Sequence, residues 1–259
     1  MSLLNVENLS VAYGTQAALR QVSFHLAPGE TLGIVGESGS GKSTLLRALS
    51  GLLESNACIT NGHIIFQGQE LTHCSEKQLK ALRGSVIGMI FQNASASFCP
   101  VRTIGDQVHE TLAAHRLGTR AESDAAAAEI FAHLGLEESQ RILAAYPYSL
   151  SGGMSQRVAI ALAMLLQPSL LLADEPTSAL DVLGQRQILD ELALLRQLYG
   201  AAIILVTHNI GLCERFADKV LVLRDGCVVE YGPTAQVLNA PQSKDTKELL
   251  AAVPRLRRG

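Results

Sequence analysis

The sequence predicts an α/β fold, with a mostly parallel sheet, a small antiparallel β subdomain and an inserted α-helical subdomain. Four apolar runs predict the sheet, because each has about the length of a buried parallel strand and is followed directly by polar residues. Residues 111–134, between the second run and the third, are rich in alanine with interspersed acidic residues, which is typical of helices. The four runs are residues 32–35, 86–91, 170–173 and 203–206.

The antiparallel part is predicted near the two ends of the chain. Apolar and polar residues alternate over residues 4–11, and the pattern breaks at Tyr13, as it does where a hairpin turns. Further along, residues 220–223 and 227–231 flank an Arg-Asp-Gly turn at 224–226, which is also a hairpin signal. Both segments favour antiparallel strands beside the parallel core.

These patterns predict three parts. Residues 1–92 and 160–241 form the α/β core with its antiparallel β subdomain, and residues 93–159 form the helical subdomain. Residues 242–259 form a C-terminal tail, which ends with Arg255, Arg257 and Arg258. We expect this tail to be a solvated, partly frayed end.

Composition excludes several classes of protein. Of 259 residues, 47% are hydrophobic and 17% are charged, enough apolar material for one full core or two unequal lobes and too much for a disordered chain. The net charge of -3 and the absence of tryptophan disfavour wholesale nucleic-acid binding. The mean hydropathy is +0.21, but the longest apolar run, residues 158–166, is too short to cross a bilayer.

The N-terminal residues and the cysteines predict a cytoplasmic protein. Residues 1–13 lack the basic start and apolar block of a signal peptide. The five cysteines lie far apart without a C-x-x-C pair, as is usual in a reducing compartment. They are Cys58, Cys74, Cys99, Cys213 and Cys227.

Residues 36–44, GESGSGKST, follow the first apolar run and precede a helical stretch, and they match the pattern G-x-x-x-x-G-K-[ST] of P-loop NTPases. In such a loop, glycines let the backbone approach phosphate oxygens, the lysine adds positive charge at the β- and γ-phosphates, and the next hydroxyl ligates Mg²⁺. The alternative is a flexible glycine-serine turn, which the strand, lysine and helix in register disfavour. The candidate nucleotide-binding residues are Gly36, Ser38, Gly39, Ser40, Gly41, Lys42, Ser43 and Thr44.

The third apolar run ends in two adjacent carboxylates, Asp174 and Glu175. Such a pair is costly at a buried strand end unless a cation or substrate is present. Asp174 suits the Mg²⁺ shell, and Glu175 suits the residue that orients or deprotonates the attacking water. The alternative is an acidic helix start, with Pro176 in the first turn.

A second anion site is predicted at residues 151–153. Ser151 is a credible N-cap, followed by Gly152 and Gly153 and an apolar helical stretch. Since the chain's own nucleotide is already held at Lys42, this second helix N-terminus predicts binding of a phosphate from another subunit. A plain helix start is the alternative.

Three further candidates are ambiguous one at a time. Gln92 and His208 each follow an apolar run, and the carboxyl ends of parallel strands share the edge where ligands bind. Gln92 can touch Mg²⁺ or water, and His208 can contact the γ-phosphate, although a lone histidine is more often structural. Tyr13 can stack on an adenine or simply pack.

In their order along the chain, these motifs resemble those of the ATP-binding subunit of an ABC transporter. Residues 36–44 resemble Walker A, Gln92 the Q-loop, residues 150–156 (LSGGMSQ) the signature, and residues 170–175 Walker B. Residues 178–181 (SALD) resemble the D-loop, which adds Asp181 to the nucleotide-binding set, and His208 resembles the switch histidine. The resemblance implies a RecA-like core, ATP and Mg²⁺ as cofactors, and Ser43, Gln92 and Asp174 as metal ligands.

The resemblance also implies partners. In the family, two ATPase subunits close head to tail, so that Ser151 and Gly153 of one contact the γ-phosphate held by the other. We expect a second, non-identical ATPase subunit, two transmembrane permease subunits and, indirectly, an extracytoplasmic solute-binding protein, with no nucleic acid. The expected location is peripheral, on the cytoplasmic face of the inner membrane.

Within the family, Tyr146-Pro147, Met154 and the segment 246–254 resemble the peptide and nickel importer group. We therefore expect an importer of peptides or of nickel or metal-metallophore complexes. The chain stops at Gly259, without the cysteine-bearing extension of many peptide-importer ATPases, which favours metal uptake. Residues 93–100 (NASASFCP) depart from the group's usual D-P-x-x-x-L-N-P and indicate specialised membrane partners.

Three rival functions remain open at this point. A soluble ABC-type ATPase that is not coupled to transport would usually carry a long coiled-coil insertion or two modules. A P-loop kinase would transfer the γ-phosphate to a small acceptor, and the signature and His208 speak against it. A regulatory subunit that does not hydrolyse ATP is disfavoured because Glu175 is intact.

Overall fold

The computed structural model describes residues 2–116, 118–178 and 180–252. The chain divides into two compact units, one formed by Met1–Glu76 with Ile204–Gly259 and the other by Lys77–Ile203. This division says nothing about the predicted subdomain limits at 92, 159 and 241, which stay predictions.

The strands are β1 (Leu4–Tyr13), β2 (Gln16–Leu26), β3 (Thr31–Val35), β4 (Ala57–Phe66), β5 (Gln69–Glu70), β6 (Ile87–Ile90), β7 (Leu170–Asp174), β8 (Ala202–Val206), β9 (Lys219–Arg224) and β10 (Cys227–Pro233). The α-helices are α1 (Lys42–Ser50), α2 (Glu76–Leu82), α3 (Ile104–Ala114), α4 (Arg120–His133), α5 (Ser139–Ala144), α6 (Gly152–Met164), α7 (Val182–Tyr199), α8 (Ile210–Phe216), α9 (Thr234–Asn239) and α10 (Lys244–Ala252).

The first unit contains the predicted antiparallel sheet, with strand order β2-β1-β4-β5. Leu4, Val6, Leu9 and Val11 of β1 are buried, which is the inward face of the alternating pattern. The alternation skips a residue at Asn8, whose φ of 49° lies in the left-handed region and marks an irregularity in the pairing. Strand β4 was not predicted from the sequence.

The same unit also contains four strands of a second sheet, in the order β10-β9-β3-β8. Strands β3 and β9 are parallel, with Leu32 opposite Lys219 and Val35 opposite Val222. All five residues of β3 are buried, which explains why this run shows no alternation. Strands β9 and β10 form the predicted antiparallel hairpin.

The C-terminal tail is more ordered over residues 244–252 than the sequence predicts. Residues 244–252 form a helix, and Leu249 and Leu250 pack against a core cluster that contains Val220 and Val237. Arg224 on β9 pairs with Asp245 at 2.6 Å and with Glu248 on this helix at 3.0 Å. This part of the tail is therefore docked. Arg255, Arg257 and Arg258 lie outside the described residues.

The second unit contains the neighbouring strands β7 and β6 and helices α3 to α7. Strands β6 and β7 are parallel, with Ile87 opposite Leu170 and Ile90 opposite Ala173. Helices α3 and α4 cover most of the described residues in 111–134, as the alanine-rich pattern predicts. Thr119 begins α4 with a reciprocal capping box to Glu122. The α/β class is thus confirmed. In the described parts of the chain, no helix has both the length and the apolar character that a membrane crossing requires.

Candidate nucleotide-binding site

The glycine loop leaves the carboxyl end of β3 and runs directly into α1. At Gly36, an added Cβ would lie 2.1 Å from the carbonyl oxygen of Leu223, so a side chain cannot be accommodated without moving backbone. Gly41 adopts a φ of 103° and precedes the helix without a side-chain cap. The N-cap residue supplies no side chain to the first turn of α1, and a helix N-terminus after a glycine loop is an arrangement that binds anions.

Lys42 is the first residue of α1, and its side chain lies folded over the loop. Its Nζ donates to the carbonyl oxygens of Gly36 at 2.9 Å and Glu37 at 2.7 Å, and lies 3.5 Å from Ser40 Oγ. The residue is only 8% exposed. A cation is thus held against two backbone carbonyl oxygens of the loop, where its charge would attract an incoming phosphate.

The loop also fits a phosphate by its shape. At Gly39, with a φ of 79°, an added Cβ would meet no heavy atom within 4 Å, so the loop is open there. Ser43 follows Lys42 in the first turn of α1 and is partly exposed. An open loop, a lysine, a hydroxyl and a helix N-terminus form the donor set that a nucleotide triphosphate with Mg²⁺ requires.

Tyr13 and His208 lie in the same unit as the loop. Tyr13 ends β1 and pairs with Gln16 across the turn, with its side chain partly exposed. The backbone N–H of Thr207 donates to the carbonyl oxygen of Ile34 on β3 at 3.2 Å. This bond holds the end of β8 beside the strand that leads into the loop, so the exposed His208 leaves the sheet at the loop's edge.

The hairpin turn between β9 and β10 is hydrogen-bonded to the glycine loop. Gly226 N–H donates to the carbonyl oxygen of Ser40 at 3.1 Å, and the carbonyl oxygen of Gly226 accepts from Arg20 N–H at 2.8 Å. The sequence predicted the hairpin but not this contact. No local pattern signals it, because the two segments are far apart along the chain.

In the second unit, the structure brings Gln92 and Glu175 together. Gln92 Nε2 donates to Glu175 Oε2 at 3.4 Å, as the parallel pairing of β6 and β7 requires of residues that follow these strands. Asp174 is the last residue of β7 and is 9% exposed. Glu175 has a φ of 46°, which is uncommon for a residue with a side chain.

The predicted signature begins helix α6. Ser151 is the N-cap, and its Oγ accepts a hydrogen bond from Met154 N–H at 3.3 Å. Ser151 and Gly152 are exposed, and at Gly152 and Gly153 an added Cβ would meet no heavy atom within 4 Å. The hydroxyl of Ser151 still has its own proton to donate, so capping the helix leaves it able to bind an anion.

Asp181 begins α7 in the same way, since its Oδ1 accepts from Gly184 N–H at 2.8 Å. It is the last residue of the predicted D-loop, of which Ala179 lies outside the described residues. The first unit thus holds the glycine loop, Tyr13 and His208. The second holds Gln92, Asp174, Glu175, the signature and Asp181. Over the described ranges, no three His, Cys, Asp or Glu side chains cluster closely enough to hold a metal by themselves.

Comparison with known proteins agrees with these features. The sequence profile of the family described as "ABC transporter" matches residues 19–178. The chain is similar to the peptidoglycan transport ATP-binding protein YejF of Agrobacterium fabrum (strain C58 / ATCC 33970), with 43% identity over 258 residues, 98% of this chain and 47% of YejF. The chain therefore spans about half the length of the YejF-type curated relatives.

Another relative matches over nearly its whole length. The metal-staphylopine import system ATP-binding protein CntD of Staphylococcus aureus (strain NCTC 8325 / PS 47) is 40% identical over 253 residues, which cover 97% of this chain and 93% of CntD. Among solved structures, the dimeric ATP-binding cassette MJ0796 bound to ADP and Pi superposes with a TM-score of 0.78 and 30% identity, over 89% of this chain and 98% of that one. Given the profile match and the nearly complete coverage of CntD, the chain belongs to the ABC transporter family and has the fold of its ATP-binding cassettes.

Proposed function

We propose that the chain binds Mg·ATP and hydrolyses it to drive transport through a membrane importer. The observation that carries the proposal is the glycine loop, in which Lys42 is held over an open backbone ring at the N-terminus of α1. The backbone N–H groups of residues 36–44 and Lys42 hold the phosphates, and Tyr13 stacks on the adenine. MJ0796, which has the same fold, was crystallised with ADP and Pi.

The metal ligands are Ser43, Gln92 and Asp174. They supply a hydroxyl, an amide and one carboxylate, all hard oxygen donors, and substrate phosphates and water would complete such a shell. When bound, Mg²⁺ neutralises charge on the β- and γ-phosphate oxygens.

Glu175 orients or deprotonates the attacking water, and His208 contacts the γ-phosphate. The hydrogen bond from Gln92 to Glu175 supports the assignment of Glu175, because a carboxylate that accepts from an amide side chain is held in one orientation. The left-handed backbone of Glu175 is consistent with a side chain that is positioned for chemistry.

A second ATPase subunit, not identical to this chain, completes the catalytic assembly. Ser151, Gly152, Gly153 and Asp181 contact the nucleotide held by that subunit, and the reverse contacts serve the nucleotide on this chain. The exposed and unobstructed start of α6 supports this arrangement. The MJ0796 cassette, which was described as dimeric, gives it further support.

The membrane partners are two permease subunits, fed by an extracytoplasmic solute-binding protein, and the chain lies peripherally on the cytoplasmic face of the inner membrane. An apolar surface supports this docking. Val101 is 80% exposed and Tyr148 is 77% exposed, and the rings of Tyr146 and Tyr148 stack with centroids 5.6 Å apart. Large apolar side chains that protrude like this are typical of interaction surfaces.

The cargo is a peptide or a nickel or metal-metallophore complex. The names of the relatives support this range, since YejF is a peptidoglycan transporter component and CntD serves metal-staphylopine import. The second candidate is a soluble ABC-type ATPase not coupled to transport, and the exposed tyrosine pair disfavours it.

The experiment is a detergent extraction of native membranes with a tagged copy of the chain, followed by mass spectrometry of the captured proteins. We expect two polytopic membrane proteins and a second ATPase. A Tyr146→Ser/Tyr148→Ser variant should lose the membrane proteins and keep ATP binding. Capture of the chain alone, or with ribosomes or DNA, would favour the soluble ATPase.

A further inference from the structure

The first two residues of α6 and of α7 make little packing contact. At Gly152 and Gly153 there is open space where a side chain would be, and on α7 Val182 is 81% exposed and Leu183 is 78% exposed. These two turns follow directly on Ser151 and Asp181. Local anchors are present in both turns, since Ser155 is buried and Gln185 Nε2 donates to the carbonyl oxygens of Thr177 and Leu180. Contacts further along the two helices add to these anchors.

A cavity lies against one side of α6. Its volume is about 650 Å³, and Met154 and Arg157 line it together with Leu136, Ile142 and Leu150. Side chains that border empty space can be displaced at low cost, because they lose few contacts when they move. This side of α6 therefore has fewer packing contacts than a fully buried helix face.

An ion pair joins α6 to α7 just beyond these turns. Arg157 Nε donates to Glu191 Oε1 at 2.9 Å, and the two side chains are 19% and 9% exposed. Burial raises the pKa of Glu191, against the lowering effect of Arg157. In the described parts of the chain, Glu191 Oε2 has no hydrogen-bond partner.

Such a pair contributes little to stability. Removing two charges from water is costly, and here one carboxylate oxygen gains nothing in return, so apolar side chains of similar volume would stabilise the fold as well or better. What an ion pair adds is direction, because the donor and acceptor must meet at one distance and angle.

We propose that Arg157 and Glu191 are positioning residues that fix α6 relative to α7, so that Ser151 and Asp181 are presented together to the partner subunit's nucleotide. The inference rests on the proposed function, since only a nucleotide on a second subunit gives the two helix starts a common target. Neither residue touches the nucleotide itself.

The lever arm shows why a pair at this place matters. Arg157 is six residues beyond Ser151, which is about 9 Å along the helix at 1.5 Å per residue. A tilt of about 6° around Arg157 therefore moves the Ser151 end by about 1 Å. Displacements of this size in a catalytic site lower rates by up to about a hundredfold.

The test uses the tagged membrane complex and the double variant Arg157→Met/Glu191→Met, which replaces the pair by apolar side chains. The chain offers a matched control in Arg141 and Glu138, an ion pair of 2.6 Å that borders the same cavity but is 81% and 65% exposed. Each complex is assayed for its melting temperature, its affinity for a fluorescent ATP analogue, and the kcat and KM of ATP hydrolysis.

For Arg157→Met/Glu191→Met we expect a melting temperature no lower than that of the wild type, analogue affinity within about twofold, and kcat reduced about tenfold or more. Arg141→Met/Glu138→Met should match the wild type throughout. The single variant Glu191→Gln, which keeps an acceptor for Arg157 Nε, should retain most of the wild-type kcat. This separation of kcat from affinity and stability is not expected of a merely structural pair.

A folded Met pair with wild-type kcat would overturn the proposal, and so would an equal loss in the Arg141 and Glu138 control. If the Met pair does not fold, Arg157→Met/Glu191→Gln replaces it under the same criteria. A wild-type complex that hydrolyses no ATP would instead refute the proposed function, and the positioning role with it.

Discussion

Gly226→Ala tests whether the hairpin turn supports the phosphate-binding loop. Gly226 has a φ of 78°, and an added Cβ would lie 2.5 Å from the carbonyl oxygen of Ala18. Real Cβ atoms do not approach backbone oxygens so closely, so the turn must move away from β2. The hydrogen bond from Gly226 N–H to the Ser40 carbonyl oxygen, 3.1 Å long, then lengthens or breaks.

A second hairpin in the same unit provides a matched control for the size of this effect. Gln67 and Gly68 have φ values of 49° and 81°, and Asp225 and Gly226 have values of 50° and 78°, so both turns use the same left-handed pair. At Gly68, however, an added Cβ meets no heavy atom within 4 Å. Gly68→Ala therefore measures the backbone strain alone, about 1–2 kcal/mol.

Gly226→Ala should cost the same strain plus the forced displacement, which adds about 1–3 kcal/mol. For a chain of this size, each kcal/mol lowers the melting temperature by about 2–4 °C. We therefore expect Gly226→Ala to melt about 4–8 °C below Gly68→Ala for an added cost of about 2 kcal/mol.

Differential scanning calorimetry of the two variants gives the stability difference, and titration with a fluorescent ATP analogue gives the effect on the loop. Only Gly226→Ala should weaken binding of the analogue, because only this turn is bonded to Ser40. Equal melting temperatures, or an equal loss of affinity in both variants, would refute the reasoning.

Further predictions concern single charges. Glu175→Gln should keep ATP affinity and lower kcat by about 10²–10⁴-fold, the usual contribution of a general base, and wild-type turnover would remove Glu175 from that role. Lys42→Ala should weaken the binding of the ATP analogue about 10–100-fold, as expected for a lost charge-assisted contact, and unchanged affinity would contradict the phosphate-loop assignment. Arg224→Ala should lower the free energy of unfolding slightly at low salt and less at high salt, because its partners on α10 are partly exposed and salt screens such pairs; calorimetry at two ionic strengths checks this. Burial raises the pKa of Glu191 in the folded chain above its ordinary value of 4.5, so the folded state binds more protons than the unfolded state. The free energy of unfolding should therefore fall as pH rises from 4.5 through the raised pKa. Urea titrations at several pH values should show a flatter dependence for Glu191→Gln, and an unchanged slope would contradict the reasoning.

The local elements of this fold could be predicted from the sequence because their causes are local. A fully buried strand such as β3 can be predicted from its continuous apolar run alone. The N-caps Ser151 and Asp181 can be predicted in the same way, because their side chains accept hydrogen bonds from N–H groups only three residues away. The pairing of Gln92 with Glu175 was accessible too, since residues that follow adjacent parallel strands meet at one edge.

Helix α10 could not be predicted from local sequence patterns. Its residues 244–252 look like a polar end, and the helix forms because Leu249 and Leu250 find a buried cluster and because Arg224 offers a charge to Asp245. Strand β4 was missed for a similar reason, as its pairing with β1 joins Leu4 to Phe66 and Tyr13 to Ala57 across most of the first unit.

By itself the sequence determined which groups are candidates for the chemistry: a glycine loop for phosphate, carboxylates at a strand end, and a second helix start for an anion. Only the tertiary structure decided what holds these groups in position. The contact of Gly226 with Ser40 and the pair of Arg157 with Glu191 each join distant segments. Periodicity, capping and turn signals reflect interactions between near neighbours in the chain, whereas such contacts depend on where the folded backbone brings two segments together.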